Sequence, residues 1–193
     1  MKKLLDAYKA GETDADELIA RLSAAPFVEL GYATPDLARG LRTGVSEVVY
    51  GAGKSAEQIA GIVSALAEAG QERILITRVD AEKAAAAQAL LPDELRGRWR
   101  YLAEPALATV GEPPAPAEGA YVLVVCAGTS DIYAAEEAAV TAEMLGVSVR
   151  RAYDAGVAGL ERLLAHADDI QGAAAIVAVA GMEGALEIGR AHV

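Results

Sequence analysis

Tyr121-Val122-Leu123-Val124-Val125-Cys126-Ala127-Gly128-Thr129-Ser130-Asp131 is the stretch that decides the fold. Its first six residues are apolar or aromatic without alternation, which reads as a strand buried on both faces. Small and hydroxyl residues follow, and a helix runs from about Ser130 to Leu145. The same grammar then repeats. Val147–Tyr153 reads as a second strand, about Gly159 to Ala167 as a helix, and Ala174–Val179 as a third strand. Alternating strands and helices with continuous apolar strands imply a parallel, doubly wound sheet of flavodoxin-like type. Such folds bind ligands at the carboxyl ends of their strands. Thr129, Ser130 and Asp131 stand at that end, where backbone amides can hold a phosphate and Asp131 can accept ribose hydroxyls. The plainer alternative is a helix cap at Ser130 or Asp131 with no ligand.

Working outward, Gly111–Gly119 holds three prolines in nine residues, which favours extended backbone and makes it the natural linker. The expected division is an N-terminal α/β region over 1–118 and a doubly wound domain over 119–186. In the first region, residues 1–24 read as two short helices, the second capped by Thr13 with Leu18, Ile19 and Leu22 on one face. Phe27–Leu30, Glu47–Tyr50 and Arg73–Thr77 read as strands. Ser55 opens a helix with Gln58 completing a capping box, and Ile59, Ile62, Val63 and Leu66 fall at i, i+3, i+4 and i+7. Ala81–Leu91 is an alanine-rich helix stopped by Pro92.

Composition excludes several classes. The chain has 193 residues and a formal net charge of −11, so duplex nucleic acid and anionic membranes would repel it on average. A single cysteine, Cys126, excludes a disulfide framework and fits a cytoplasmic protein. Cys126 ends the strongest strand and reads as a buried structural thiol. His166 and His192 are the only histidines and lack partners at metal-ligand spacing, so no metal site and no histidine-dependent hydrolase is expected. Gly51-Ala52-Gly53-Lys54-Ser55 lies between strand and helix, but the Walker pattern needs a glycine where Val48 stands. The milder reading is that Lys54 and nearby amides bind an anion; the plainer one is a glycine turn with a solvated lysine. Glu136 and Glu137 point to different faces of their helix, with Glu137 expected in water. Glu183, between Gly181 and Gly184 after the third strand, either faces a ligand or is a solvated loop residue.

The motifs occur in a characteristic order. Asp36-x-x-Arg39-x-x-Arg42-x-Gly44 precedes Glu47-Val48-Val49-Tyr50-Gly51-Ala52-Gly53-Lys54. Ala127-Gly128-Thr129-Ser130-Asp131 follows, with Ala135-Glu136-Glu137-Ala138. Then come Tyr153-Asp154-x-Gly156-Val157-Ala158-Gly159-Leu160-x-Arg162 and Ala180-Gly181-Met182-Glu183-Gly184-Ala185-Leu186. From about residue 10 to residue 186 this resembles the LarB family, the pyridinium-3,5-biscarboxylic acid mononucleotide synthases of nickel-pincer nucleotide biosynthesis. The second half resembles the aminoimidazole ribonucleotide carboxylase (PurE) fold.

The resemblance implies a carboxylase/hydrolase. Its substrates would be nicotinic acid adenine dinucleotide and carbon dioxide or bicarbonate; the pyridinium ring is carboxylated and AMP released. It implies no covalently bound cofactor and leaves magnesium assistance open. Asp131, Asp154 and Glu183 would supply carboxylates, with Glu183 the catalytic one. Arg39, Arg42, Lys54 and Arg162 would supply cations, and Thr129, Ser130 and Gly181 would complete substrate binding. Glu161 stands where the family usually has histidine. The family continues past Gly-Met-Glu-Gly-Ala-Leu to a segment carrying its nucleophilic cysteine, whereas here Glu187–Val193 follows. The expectation is an incomplete domain with a non-biological tail over 187–193, inactive as it stands and a homo-oligomer when full length. Two other readings remain: a purine-pathway carboxylase, against which the long N-terminal region speaks, and a non-catalytic nucleotide-binding module.

Overall fold

The computed structural model describes residues 2–23, 27–40, 45–116, 118–181 and 185–186. The Arg42 and Glu183 assignments, and residues 187–193, lie outside them. Two helices open the chain, α1 (Lys2–Lys9) and α2 (Ala15–Ser23). The cap of α2 is Asp14, whose carboxylate accepts from the Glu17 amide at 2.7 Å, and not Thr13. Leu18 is buried but Ile19 is 57% exposed, so these two of the expected apolar positions are not buried together. Nor is 27–30 a strand. Only Phe27 bridges to Asp36, because the Glu29 carboxylate accepts from the Gly31 amide and the Thr34 hydroxyl and closes a tight turn there. Gly31 takes the left-handed φ of 79° that this turn requires.

The first sheet is mixed, in the order β1-β2-β4-β3. β1 (Val48–Tyr50) and β2 (Ile74–Thr77) pair in parallel across α3 (Ala56–Glu68). The Ser55–Gln58 capping box forms, and Ile59, Ile62, Val63 and Leu66 are buried as their spacing requires. α4 (Ala81–Leu90) buries only Ala84 and Ala87, small residues that bring it close to the sheet. After α5 (Asp93–Arg96), β3 (Trp99–Leu102) and β4 (Leu107–Val110) form an antiparallel hairpin. This hairpin has no counterpart in the sequence reading.

Residues 111–116 and 118–120 carry no helix or strand. The second sheet is parallel throughout, in the order β6-β5-β7. Its strands are β5 (Tyr121–Cys126), β6 (Ser148–Ala152) and β7 (Ala175–Val179). α6 (Ile132–Met144) packs Ala135 and Ala139 on Val124 and Cys126. The single helix expected over 159–167 is instead a turn at Val157–Gly159, then α7 (Leu160–Leu164) and α8 (Ala167–Gly172). The mixed α/β architecture, with a parallel flavodoxin-like sheet in its second half, agrees with the sequence reading.

α6 also joins the two sheets. Its Val140 and Met144 share a buried cluster with Leu75 of β2 and Leu107 of β4. Beside it, the Arg78 Nε lies 2.9 Å from Glu137 Oε2, and the guanidinium sits 5.7 Å from the Tyr133 ring centre. Glu137 is therefore a half-buried ion-pair partner and not a solvated carboxylate. The Glu137 contact is ionic rather than a directed hydrogen bond. Among the described residues no helix is long and apolar enough to cross a membrane.

Candidate functional site

β5 delivers Cys126 to the carboxyl edge of the parallel sheet, and the chain then turns sharply through Thr129–Asp131 into α6. Asp131 closes this turn itself. Its Oδ2 accepts from the Gly128 amide at 3.0 Å, and its own amide donates to the Gly128 carbonyl at 3.0 Å. One carboxylate oxygen thus shapes the turn and leaves Oδ1 for other partners.

The segment after β6 is pressed against this turn. A Cβ on Gly156 would stand 2.7 Å from the Ala127 carbonyl oxygen, so glycine is what permits the approach. Asp154, with φ of 55°, holds a left-handed conformation that aspartate tolerates better than most residues. Its Oδ2 accepts from Arg162 Nη1. Gly159 leaves room for that guanidinium, whose Nε would be 2.7 Å from a Cβ there.

Together these segments enclose a cleft of about 410 Å³, lined among others by Gly128, Ser130, Asp131, Val157, Arg162 and Gly181. Among the described residues the amides of Ser130, Val157 and Ala158 make no hydrogen bond within the protein. A carboxylate, a guanidinium and three unspent amides at the carboxyl ends of parallel strands suit a ligand with phosphate and hydroxyl groups.

Cys126 lies just beneath but does not take part. It is fully buried, and its Sγ stands 3.6 Å from the Gly128 carbonyl. Burial pushes its thiol pKa up, the Asp154 amide opposes this, and the carboxylates of Asp131 and Asp154 raise it further. The expectation of a structural thiol agrees with this. Among the described residues no group of three or more His, Cys, Asp or Glu could hold a metal ion.

The structure brings together Ser130, Asp131, Asp154, Arg162 and Gly181. Thr129 is exposed on the same turn and does not line the cleft. Arg39 and Lys54 belong elsewhere: Arg39 Nη1 is 3.6 Å from Glu47 Oε2, and Lys54 lines a smaller cleft beside β1.

Four of the five amides of the Gly51–Ser55 loop are already engaged within the protein. Gly51 donates its amide to Thr77, Gly53 and Lys54 donate theirs to Gly51, and Ser55 donates its own to Gln58. Any anion there would meet the lysine ammonium and not those amides. The sequence reading missed the steric role of Gly156; only a contact between segments distant in sequence reveals it.

Residues 27–109 match the LarB/PurE-like N-terminal domain family. An uncharacterized protein of Methanocaldococcus jannaschii is 33% identical over 197 residues, spanning 96% of this chain and 74% of that protein.

Proposed function

Starting from a chain that belongs to the LarB/PurE-like family and so to a carboxylase-type group of enzymes, we propose that it binds nicotinic acid adenine dinucleotide for carboxylation of the pyridinium ring, with hydrolysis of the phosphoanhydride and release of AMP. The observation that supports this reading is the convergence of Asp131, the Asp154–Arg162 pair and three unspent amides on one cleft. The substrate carries a cationic ring, two ribose units and two phosphates. Arg162 and the amides of Ser130, Val157 and Ala158 hold phosphate oxygens. Asp131 accepts from a ribose hydroxyl, and Asp154 keeps Arg162 turned towards the cleft.

A pyridinium carbon is too electron-poor to attack carbon dioxide. Addition of a thiolate to the ring turns the neighbouring carbon into an enamine-like nucleophile. Cys126 is unsuited to that step, since it is buried and its thiol is held above its ordinary pKa. The cleft residues therefore form the substrate-holding part of the site, and Cys126 is not its nucleophile. Glu183 retains the catalytic assignment that its place after β7 suggests.

Calorimetry with nicotinic acid adenine dinucleotide tests the reading. Asp131→Ala and Arg162→Ala should each weaken binding by ~1–3 kcal/mol, the cost of losing a hydrogen bond to a charged group. Unchanged affinity in both variants would remove this cleft from the site. AMP release in the presence of bicarbonate is the companion assay. Sustained release that Cys126→Ser abolishes would make Cys126 the nucleophile and overturn its structural role.

A further inference from the structure

We propose that, with the cleft of Asp131 and Arg162 taken as the substrate site above, Glu136 is a positioning residue for it, acting through the Tyr153 phenol on the Asp154–Arg162 pair. Arg162 lines that cleft, whereas Glu136, Tyr153 and Asp154 stand behind it.

Among the described residues β6 pairs only with β5, and it ends at Ala152. The chain beyond it needs other anchors, and they lie on both sides of Asp154. On one side the Tyr153 hydroxyl donates to Glu136 Oε1 at 2.8 Å, and its ring packs against Val124, Cys126, Ala135 and Ala139. On the other, the Ala155 amide donates to the Cys126 carbonyl at 2.9 Å, and Gly156 lies against the Ala127 carbonyl. Asp154 is held between these anchors at its φ of 55°. A left-handed residue other than glycine persists only where its surroundings enforce that conformation. In it the Asp154 carboxylate meets Arg162.

Glu136 is itself fixed. Arg151 donates from Nε to Glu136 Oε1 at 3.0 Å and from Nη2 to Glu136 Oε2 at 3.3 Å, a two-point grip that sets the carboxylate plane. The third contact of this guanidinium, from Nη1 to Glu143 Oε1 at 2.6 Å, lies further along α6 and does not involve Tyr153. The phenol pKa is raised, first by burial and then by the Glu136 bond, so the hydroxyl remains a donor at neutral pH. Without that bond Asp154 is free to relax to an ordinary backbone conformation, and Arg162 loses the carboxylate that holds it.

Two readouts on the full 193-residue chain test this role. The first needs no ligand: the Arg162 Nε–H resonance at pH 6, assigned by its loss in Arg162→Ala. Tyr153→Phe and Glu136→Leu should each move it to the position of an unpaired arginine. Glu136→Gln keeps an oxygen for the phenol and should leave it in place. Glu143→Gln takes an ion pair from the same network without touching the phenol, and should also leave it in place. The second is calorimetry with nicotinic acid adenine dinucleotide. Tyr153→Phe and Glu136→Leu should each weaken binding about tenfold, the loss expected when the competent arrangement falls to about a tenth of the population. The double variant should be no weaker than either single one, because both break one link. A resonance unmoved by Tyr153→Phe and Glu136→Leu would overturn the positioning role. So would one moved equally by Glu143→Gln, which would show general loosening, or unchanged affinity in both variants. A resonance that moves as expected in a chain that does not bind the dinucleotide would support the positioning of Arg162 and overturn the substrate reading instead.

Discussion

Replacing Gly156 by alanine puts two effects of opposite sign in competition. Gly156 has an ordinary φ of −66° and ψ of 152°, so alanine meets no backbone strain there. By itself that would stabilise the fold by ~0.4–1 kcal/mol, through the freedom lost by the unfolded chain. The added methyl, however, would stand 2.7 Å from the Ala127 carbonyl oxygen and 3.3 Å from its carbon. Neither atom can withdraw cheaply. The Ala127 amide is tied to the Val179 carbonyl at 3.0 Å, and the Ala155 amide to the Cys126 carbonyl at 2.9 Å. Forcing a methyl into such a contact costs ~1–3 kcal/mol, so the clash should win by about 1–2 kcal/mol. With a urea slope of ~2 kcal/mol/M, the midpoint should fall by ~0.5–1 M.

Gly53→Ala is the control. A Cβ there meets nothing within 4 Å, so its midpoint should stay level or rise. Urea unfolding followed by circular dichroism reads both variants. A Gly156→Ala midpoint at or above the parent's would refute the argument that close approach selects glycine.

Three further outcomes are expected. Cys126, buried and held above its ordinary thiol pKa, should resist a disulfide reagent in the native chain at pH 8 and react at once in denaturant; rapid native labelling would show the thiol to be open. The Tyr153 phenol is held above its ordinary value of 10.0, first by burial and then by its 2.8 Å hydrogen bond to Glu136, so its share of stability is intact below pH 10 and is lost as the pH climbs past it. The urea midpoint of Tyr153→Phe should therefore fall less steeply than the parent's between about pH 10 and 12, and parallel slopes would count against the burial of this phenol. Arg78→Ala removes an ion pair and a ring contact between the two sheets and should cost about 1 kcal/mol, with a coupling to Glu137→Gln of about 0.5–1 kcal/mol in a double-mutant cycle; zero coupling would make the pair incidental.

Much of the architecture was legible because it is written in short-range signals. The continuous apolar run Tyr121–Cys126, the capping box at Ser55 and the buried spacing Ile59–Leu66 each need only a few neighbouring residues. Local hydrogen bonding and periodicity suffice there, and the residues adopted the expected elements. The same locality misled at Thr13 and at Phe27–Leu30. Asp14 outcompeted Thr13 for the cap, and the Glu29 carboxylate closed a turn where apolar residues suggested a strand. The hairpin of β3 and β4 escaped notice although Pro105 marks its turn at 103–106, because the left-handed φ of 46° there falls on Ala106 and not on a glycine.

For the candidate site, the order of residues alone shows which types stand at the carboxyl ends of the parallel strands: Ser130, Asp131, Asp154 and Arg162. Packing between distant segments is what folds Arg162 back on Asp154 beside the Thr129–Asp131 turn and sets Lys54 at a different cleft. It also decided that the amides of Gly51, Gly53, Lys54 and Ser55 are already spent. A motif specifies donors and acceptors but not whether they are in use. That depends on which distant segments pack close enough to claim them, as Gly156 does against Ala127.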